Sequence, residues 1–157
     1  MGVSGSGKTT IGKALAADLG WEFVDGDDLH PAANVEKMAS AVPLDDNDRK
    51  PWLLRIRKLI QEEEGGGRSV VVACSALKQA YRDFLDEGTD IRWVFLDGPA
   101  AVIRERLTRR SHPFMKSELL DSQLETLEAP GNALVVDIVP PVEEVVRKIR
   151  DGMGLRQ

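Results

Sequence analysis

The sequence predicts an α/β fold built on a parallel sheet, and three observations carry that prediction. Residues 2–9 read Gly2-Val3-Ser4-Gly5-Ser6-Gly7-Lys8-Thr9, the GxxxxGK[ST] spacing of a phosphate-binding loop. Ser69-Val70-Val71-Val72-Ala73-Cys74 is a continuous apolar run, as expected of a strand covered on both faces. Strand-like and helix-like segments then alternate along the rest of the chain, which argues for a parallel sheet flanked by helices.

The elements follow in order. After the loop, Ile11, Ala14, Leu15 and Leu19 share one helical face. Trp21 to Val24 reads as a short strand ending at the acidic turn Asp25-Gly26-Asp27-Asp28, and residues 33–40 as a short helix. Pro43 to Pro51 is polar and turn-rich. Trp52 to Glu64 is helical, with Leu53, Ile56, Leu59 and Ile60 as its apolar stripe. The run at 69–74 is the next strand and Ala76 to Glu87 the next helix. Arg92 to Leu96 is a strand stopped by Asp97-Gly98-Pro99, and an arginine-rich helix covers Ala100 to about Arg110. Ser111 to Lys116 is a break, Glu118 to Leu127 a helix, Leu134 to Ile138 the last strand and Val142 to Arg150 the last helix.

The loop wraps a triphosphate with successive backbone N–H groups, which act as fixed partial positive charges. Its glycines let the backbone approach the phosphates and adopt positive φ. Lys8 supplies a point charge to the β- and γ-phosphates. Thr9 offers a hydroxyl to Mg²⁺, and the helix behind it, beginning near Thr10, points its positive end at the anion. Such a loop hangs from the end of a buried strand, yet only Met1 precedes it here. A strand of about five buried apolar side chains is worth on the order of 7–15 kcal/mol, comparable to the net stability of a domain. The expectation is therefore that the first strand is missing from this sequence rather than dispensed with.

At 157 residues the chain is expected to form a single domain, 1–157. It is 42% hydrophobic and 30% charged, and no apolar run approaches the length of a membrane span. A net charge of −5 gives no general attraction to nucleic acid or anionic membrane, so any anionic substrate must be held by local Lys and Arg. One cysteine, Cys74, cannot form an internal disulfide, and a cytoplasmic setting is expected.

In parallel α/β sheets ligands sit beyond the C-terminal strand ends. That rule gathers the loop at 2–9, the acidic turn at 25–28 and Cys74-Ser75-Ala76 into one crevice. Phosphoryl transfer needs a triphosphate cradle, Mg²⁺, a positioned acceptor and positive charge on the transferring group. Asp25 and Asp27 suit the acceptor side: one can reach the metal through water while the other takes a proton. Arg49 follows an acidic stretch, and Arg82 lies one helical turn beyond Lys78. Guanidinium groups match carboxylates bidentately. Arg104, Arg106, Arg109 and Arg110 crowd the helix before the break, where a flap can bring at most two of them onto phosphates as a lid. His30 and His112 are not spaced as a metal pair, Cys74 reads as a small buried residue rather than a nucleophile, and Trp52 as core.

These residues carry a resemblance. The stretches MGVSGSGKTT at 1–10, DGDDLHP at 25–31, NVEKMASAVPLDDNDRKPWL at 34–53, ACSALKQAYRDFL at 73–85, RLTRRSHPFM at 106–115 and LLDSQLETLE at 119–128 are similar to those of the small, P-loop gluconokinases, also grouped as the thermoresistant glucokinase family of carbohydrate kinases. The resemblance implies a three-layer fold like that of nucleoside monophosphate and shikimate kinases, with a lid at about 106–118. It implies ATP-dependent phosphorylation of D-gluconate at the 6-hydroxyl, with Mg²⁺. Gluconate is an anion at one end and a primary alcohol at the other. Arg49 and Arg82, with Lys78 as a further candidate, are expected to clamp the carboxylate. Asp27 is expected to orient and deprotonate the 6-hydroxyl, Asp25 to assist Mg²⁺, and His30 and Ser75 to bond the polyol. Lys8, Thr9 and a lid arginine, Arg106 or Arg110, would stabilise the transferring phosphoryl. The adenine would lie near Arg104 and Val139-Pro140-Pro141.

Two departures stand out. Relatives usually carry residues before the Met of MGVSGSGK that form the first strand. Their lid commonly reads Gly-His-Phe-Met, where this chain has Ser111-His112-Pro113-Phe114-Met115, so no role is carried over to His112. Such kinases are often homodimers, although no segment here identifies an interface. The alternatives are the same fold with another acceptor (shikimate, another sugar acid or a nucleoside monophosphate) and a nucleotide-binding module without catalysis. PLDDNDRKPWL and ACSALK argue against a changed acceptor.

Overall fold

A computed structural model describes residues 1–109 and 113–155, with the backbone alone for 113–118. Helix α1 (Lys8–Leu19) leads into β1 (Glu22–Asp25) and a 3₁₀ turn (Gly26–Leu29). Helices α2 (Ala32–Ala39) and α3 (Asp46–Gly65) precede β2 (Val70–Ala73), and α4 (Gln79–Asp86) precedes β3 (Val94–Asp97). Then come α5 (Ala100–Thr108), α6 (Pro113–Thr126), β4 (Leu134–Asp137) and α7 (Val142–Met153). Every expected strand and helix is present.

The strands form two parallel pairs. β1 pairs with β2 in the register Glu22↔Val70 to Asp25↔Ala73, and β3 with β4 in the register Val94↔Leu134 to Asp97↔Asp137. Side chains alternate between two cores, as a period of two requires. Leu96 and Val136 join Ile11, Leu15, Ile103, Leu107, Val145 and Ile149 from α1, α5 and α7. Phe95 joins Trp52, Ile56, Tyr81 and Leu85 from α3 and α4. Helices thus cover both faces, giving three layers.

Between β2 and β3 runs a slot of about 480 Å³, lined on its two sides by Val70–Cys74 and by Trp93, Val94 and Leu96. Met1 closes one end: its amine donates to the Val94 carbonyl (2.5 Å), and its carbonyl accepts from Leu96 N–H (2.9 Å). That is the bonding of a parallel ladder with Phe95 opposite Met1. The expected full burial of β2 is corrected here, because Val70, Val71 and Val72 are only half-buried along the slot.

Three boundaries differ from expectation. The turn-rich stretch before Pro51 is helix. Asp45 and Asp48 form a capping box that starts α3 at Asp46, so Pro51 lies inside the helix, in its second turn, at the expense of one intrahelical hydrogen bond. Helix α4 starts at Gln79 rather than Ala76, because Ala76 takes a left-handed φ of 41°. Helix α6 starts at Pro113, a residue suited to the first helical position, so the break is shorter than expected. The lid expected at 106–118 falls partly outside the described residues, as do Arg110 and His112. Among the described residues no helix is long and apolar enough to cross a membrane.

Candidate active site

The loop at 2–9 lies at the C-terminal edge of the strands and packs on α5. A Cβ on Gly5 (φ 82°) would stand 2.8 Å from Leu107, so glycine is required there by both conformation and space. Gly7 (φ 97°) occupies the N-cap of α1 with no side chain capping it. The first-turn N–H groups of Thr9 and Thr10 are thereby left for an anion. The Lys8 ammonium folds back to the Val3 carbonyl at 3.0 Å, and the Ser4 N–H donates to Gln123 of α6 at 2.6 Å. Ser6 is buried and shapes the loop: its N–H donates to Val3 at 3.2 Å. Gly2 packs against the Leu96 carbonyl and Ser6, where a Cβ would not fit.

The acidic turn meets this cradle. Thr9 Oγ1 donates to Asp25 Oδ2 (2.8 Å), and Asp25 Oδ1 accepts from the Asp27 N–H (3.0 Å). The two residues expected at Mg²⁺ therefore stand together. A hydroxyl and one carboxylate, both hard oxygen donors, suit Mg²⁺, which keeps several waters and takes phosphate oxygens for the rest. Among the described residues no cluster of three metal-ligating side chains competes with it. Asp27 keeps surface exposure at the mouth of the crevice, but its carboxyl is recessed. Loss of hydration there raises its pKa above the ordinary carboxylate value. Lys8 opposes that rise, and Asp25 and Asp28 add to it.

His30 and Arg49 lie beyond the turn. The His30 ring stacks on Trp52 (centroids 4.4 Å apart, planes 13° apart), whose indole N–H holds the Gly26 carbonyl at 2.7 Å. Trp52 is core, as expected, and also the bed for His30. Burial, with the Arg49 guanidinium nearby, pulls the imidazole down to about 4. Arg49 donates to the Tyr81 hydroxyl at 3.1 Å. That hydroxyl in turn donates to Asp46, which also accepts from Lys78 at 2.9 Å. Arg49 and Lys78 thus flank one ring, 5.5 and 5.6 Å from its centroid, as a paired cationic patch. Ser75 stands half-buried on the loop after β2. Cys74 beside it is buried, its thiol pushed up to about 12, which fits a packing residue and no nucleophile.

Arg82 is the correction. It is 0% exposed. Its guanidinium donates to the carbonyls of Ala76 (2.8 Å), Leu77 (3.2 Å) and Glu128 (2.8 Å), and to the Gln79 side chain (2.9 Å). A guanidinium whose donors are taken by backbone has no fork left for a carboxylate. It fixes the loop that carries Ser75 and Lys78.

On the nucleotide side, Arg106 donates to the Ile138 carbonyl at 2.6 Å and lies beside the loop, 3.9 Å from where a Gly7 Cβ would be. It ties α5 to the Ile138–Pro141 segment that includes Pro140. Arg104 pairs instead with Asp121 across α5 and α6. Sequence reasoning missed Asp46 and Tyr81. Asp46 and Tyr81 had a legible trace, one inside an Asp-x-x-Asp capping box and one three residues from Lys78 on a helix.

A phosphate loop with an uncapped helix behind it, a hydroxyl–carboxylate pair and a recessed aspartate opposite a lysine define a P-loop phosphotransferase, an enzyme class. A shikimate kinase family model matches residues 4–138. The gluconokinase of Gluconobacter oxydans is 49% identical over 134 residues, covering 84% of this chain and 75% of that protein. The thermoresistant gluconokinase of Escherichia coli is 45% identical over 151 residues, 93% of this chain and 86% of that one. A crystal structure of a gluconokinase from Sinorhizobium meliloti superposes with a TM-score of 0.87 at 43% identity, over 98% of this chain and 89% of that chain. The chain belongs to the P-loop gluconokinase family, within the shikimate-kinase-like fold.

Proposed function

We propose that this chain transfers the γ-phosphoryl group of ATP to the 6-hydroxyl of D-gluconate, giving 6-phospho-D-gluconate and ADP. The observation that carries this reading is the near full-length identity to gluconokinases, joined to a crevice with a phosphate cradle at one side and a cationic patch at the other. In the reaction the bond from the γ-phosphorus to the β,γ-bridging oxygen breaks and a bond to O6 forms. Asp27 accepts the proton of O6–H. Its raised pKa makes it a stronger base than an ordinary carboxylate while Lys8 keeps it ionisable. Lys8 and Arg106 stabilise the spreading negative charge. Thr9 and Asp25 would hold Mg²⁺, which neutralises β- and γ-phosphate charge when bound. Arg49 and Lys78 would bind the gluconate carboxylate, with His30 and Ser75 on the polyol hydroxyls. Arg104 and Pro140 border the region assigned to adenine. A cytoplasmic setting, where ATP is supplied, and a homodimer fit this reading.

The test is Mg-ATP-dependent ADP formation with gluconate, shikimate, glucose and AMP. Turnover with gluconate alone is expected. Turnover preferring shikimate or AMP would replace the acceptor, and ATP binding without turnover would replace the enzyme. Lys8→Ala should lower kcat by about 100-fold or more, in line with loss of one charge-stabilising group.

A further inference from the structure

Asn34 is 3% exposed on α2, outside every group assigned so far, and its amide links three elements. Its Nδ2 donates to the Asp48 backbone carbonyl of α3 at 2.8 Å. A carbonyl oxygen only accepts, so this contact fixes which end of the amide faces it. The same nitrogen lies 3.1 Å from His30 Nδ1 and has its second N–H to give. His30 Nδ1 must then be the unprotonated nitrogen, and the neutral ring carries its proton on Nε2. Among the described residues no protein acceptor pairs with Nε2. The Trp52 stack holds the ring plane, so the tautomer and the direction of its N–H are fixed together.

We propose that Asn34 is a positioning residue that locks His30 in the Nε2–H tautomer, making it a standing hydrogen-bond donor to a hydroxyl oxygen of the acceptor substrate. This rests on the gluconate-kinase reading and refines it. His30 then serves recognition and takes no proton from the reacting hydroxyl, which leaves that task to Asp27. Burial and the Arg49 charge support the neutral form. Arg49 faces it, Arg55 holds the Leu29 carbonyl next to it, and the Lys37–Asp48 ion pair closes the α2–α3 side. Asp27 and Asp28 lie on the preceding turn. With the imidazole lowered to about 4, the donor persists unchanged from pH 5 to 8.

The chain has two histidines, so ¹⁵N imidazole shifts of the whole protein are readable, and His30→Gln assigns the signal. The expected result is a pyridine-type Nδ1 and a pyrrole-type Nε2 for His30, constant between pH 5 and 8. A protonated Nδ1, or a titration within that window, would overturn the proposal without touching the question of the substrate. The second measurement is the KM for gluconate across pH in Asn34→Asp. A carboxylate at 34 accepts from Nδ1–H and raises the imidazole pKa. Above that pKa the proton stays on Nδ1 and Nε2 becomes an acceptor. KM should rise by about three- to tenfold with pH in the variant, the worth of one hydrogen bond, and stay flat in the unmodified protein. A KM displaced equally at all pH values would indicate a packing role only and overturn it. Absence of gluconate turnover by the unmodified protein would instead refute the functional reading, while the ¹⁵N pattern stands.

Discussion

The Thr9 hydroxyl donates to Asp25 Oδ2 at 2.8 Å, tying the start of α1 to the end of β1. This contact joins the phosphate cradle to the acidic turn and sets two oxygens side by side where a cation on the phosphates would be met. Thr9→Val and Asp25→Asn should therefore raise the Mg²⁺ concentration needed for half-maximal ADP formation, with little change in KM for gluconate. A Mg²⁺ titration checks this. Loss of kcat at saturating Mg²⁺ in Asp25→Asn, with a mild Asp27→Asn, would exchange the roles of the two aspartates.

Asp27→Asn should lower kcat by about 100-fold or more while ATP affinity holds, because the proton acceptor is lost and the cradle is intact. Stability should move the other way. The folded-state pKa of Asp27 is raised, chiefly by burial. Its contribution to stability is present below the unfolded value of about 3.9 and lost as pH rises through the folded value. At pH 7 the ionised carboxylate is therefore a cost, and the amide should leave Tm equal or higher. Thermal melts at pH 4 and pH 7 read the sign directly.

Two arginines of similar sequence context should separate cleanly. Arg49 is half-buried at the patch, so Arg49→Lys should raise the gluconate KM by about tenfold at nearly unchanged Tm, since an ammonium cannot reproduce the fork. Arg82→Ala takes the side-chain donor from the buried Ala76 carbonyl and from the Glu128 carbonyl, while the Leu77 carbonyl keeps the Glu128 N–H. It should destabilise the protein by about 3 kcal/mol or more. Melting curves and KM measured on the same preparations test both.

The slot between β2 and β3 predicts a further stability effect. Burial, then the proximity of Lys8, pulls the Met1 amine from 8.0 down to about 5. Between those values the folded state binds fewer protons than the unfolded one, so stability of the 157-residue chain should fall as pH is lowered from 8 to 5. Joining a five-residue apolar, β-branched segment to Met1 removes that amine and offers side chains worth about 1.5–3 kcal/mol each when buried. The extended chain should melt higher and lose the pH slope. An unchanged Tm would show that the slot does not accept a strand.

Much of this protein is legible in its residues alone. The GxxxxGK[ST] spacing, the helix behind it and the alternation of strand and helix are local patterns, because backbone conformation and side-chain period are local properties. The residues proposed here for phosphoryl transfer, Lys8, Thr9, Asp25 and Asp27, sit in two short motifs, where the fold class itself aims them into one crevice.

Tertiary structure decided the rest, since an arginine reads the same whether its partners are a substrate or a backbone 46 residues away. Arg82 meets Glu128 across the fold and becomes a brace, whereas Arg49 stays at the patch with Tyr81. Asn34 carries no motif, yet its contact with the Asp48 carbonyl fixes the protonation of His30. Residue type states what a side chain is able to bond, and only the packing of distant elements determines which of those bonds are already taken.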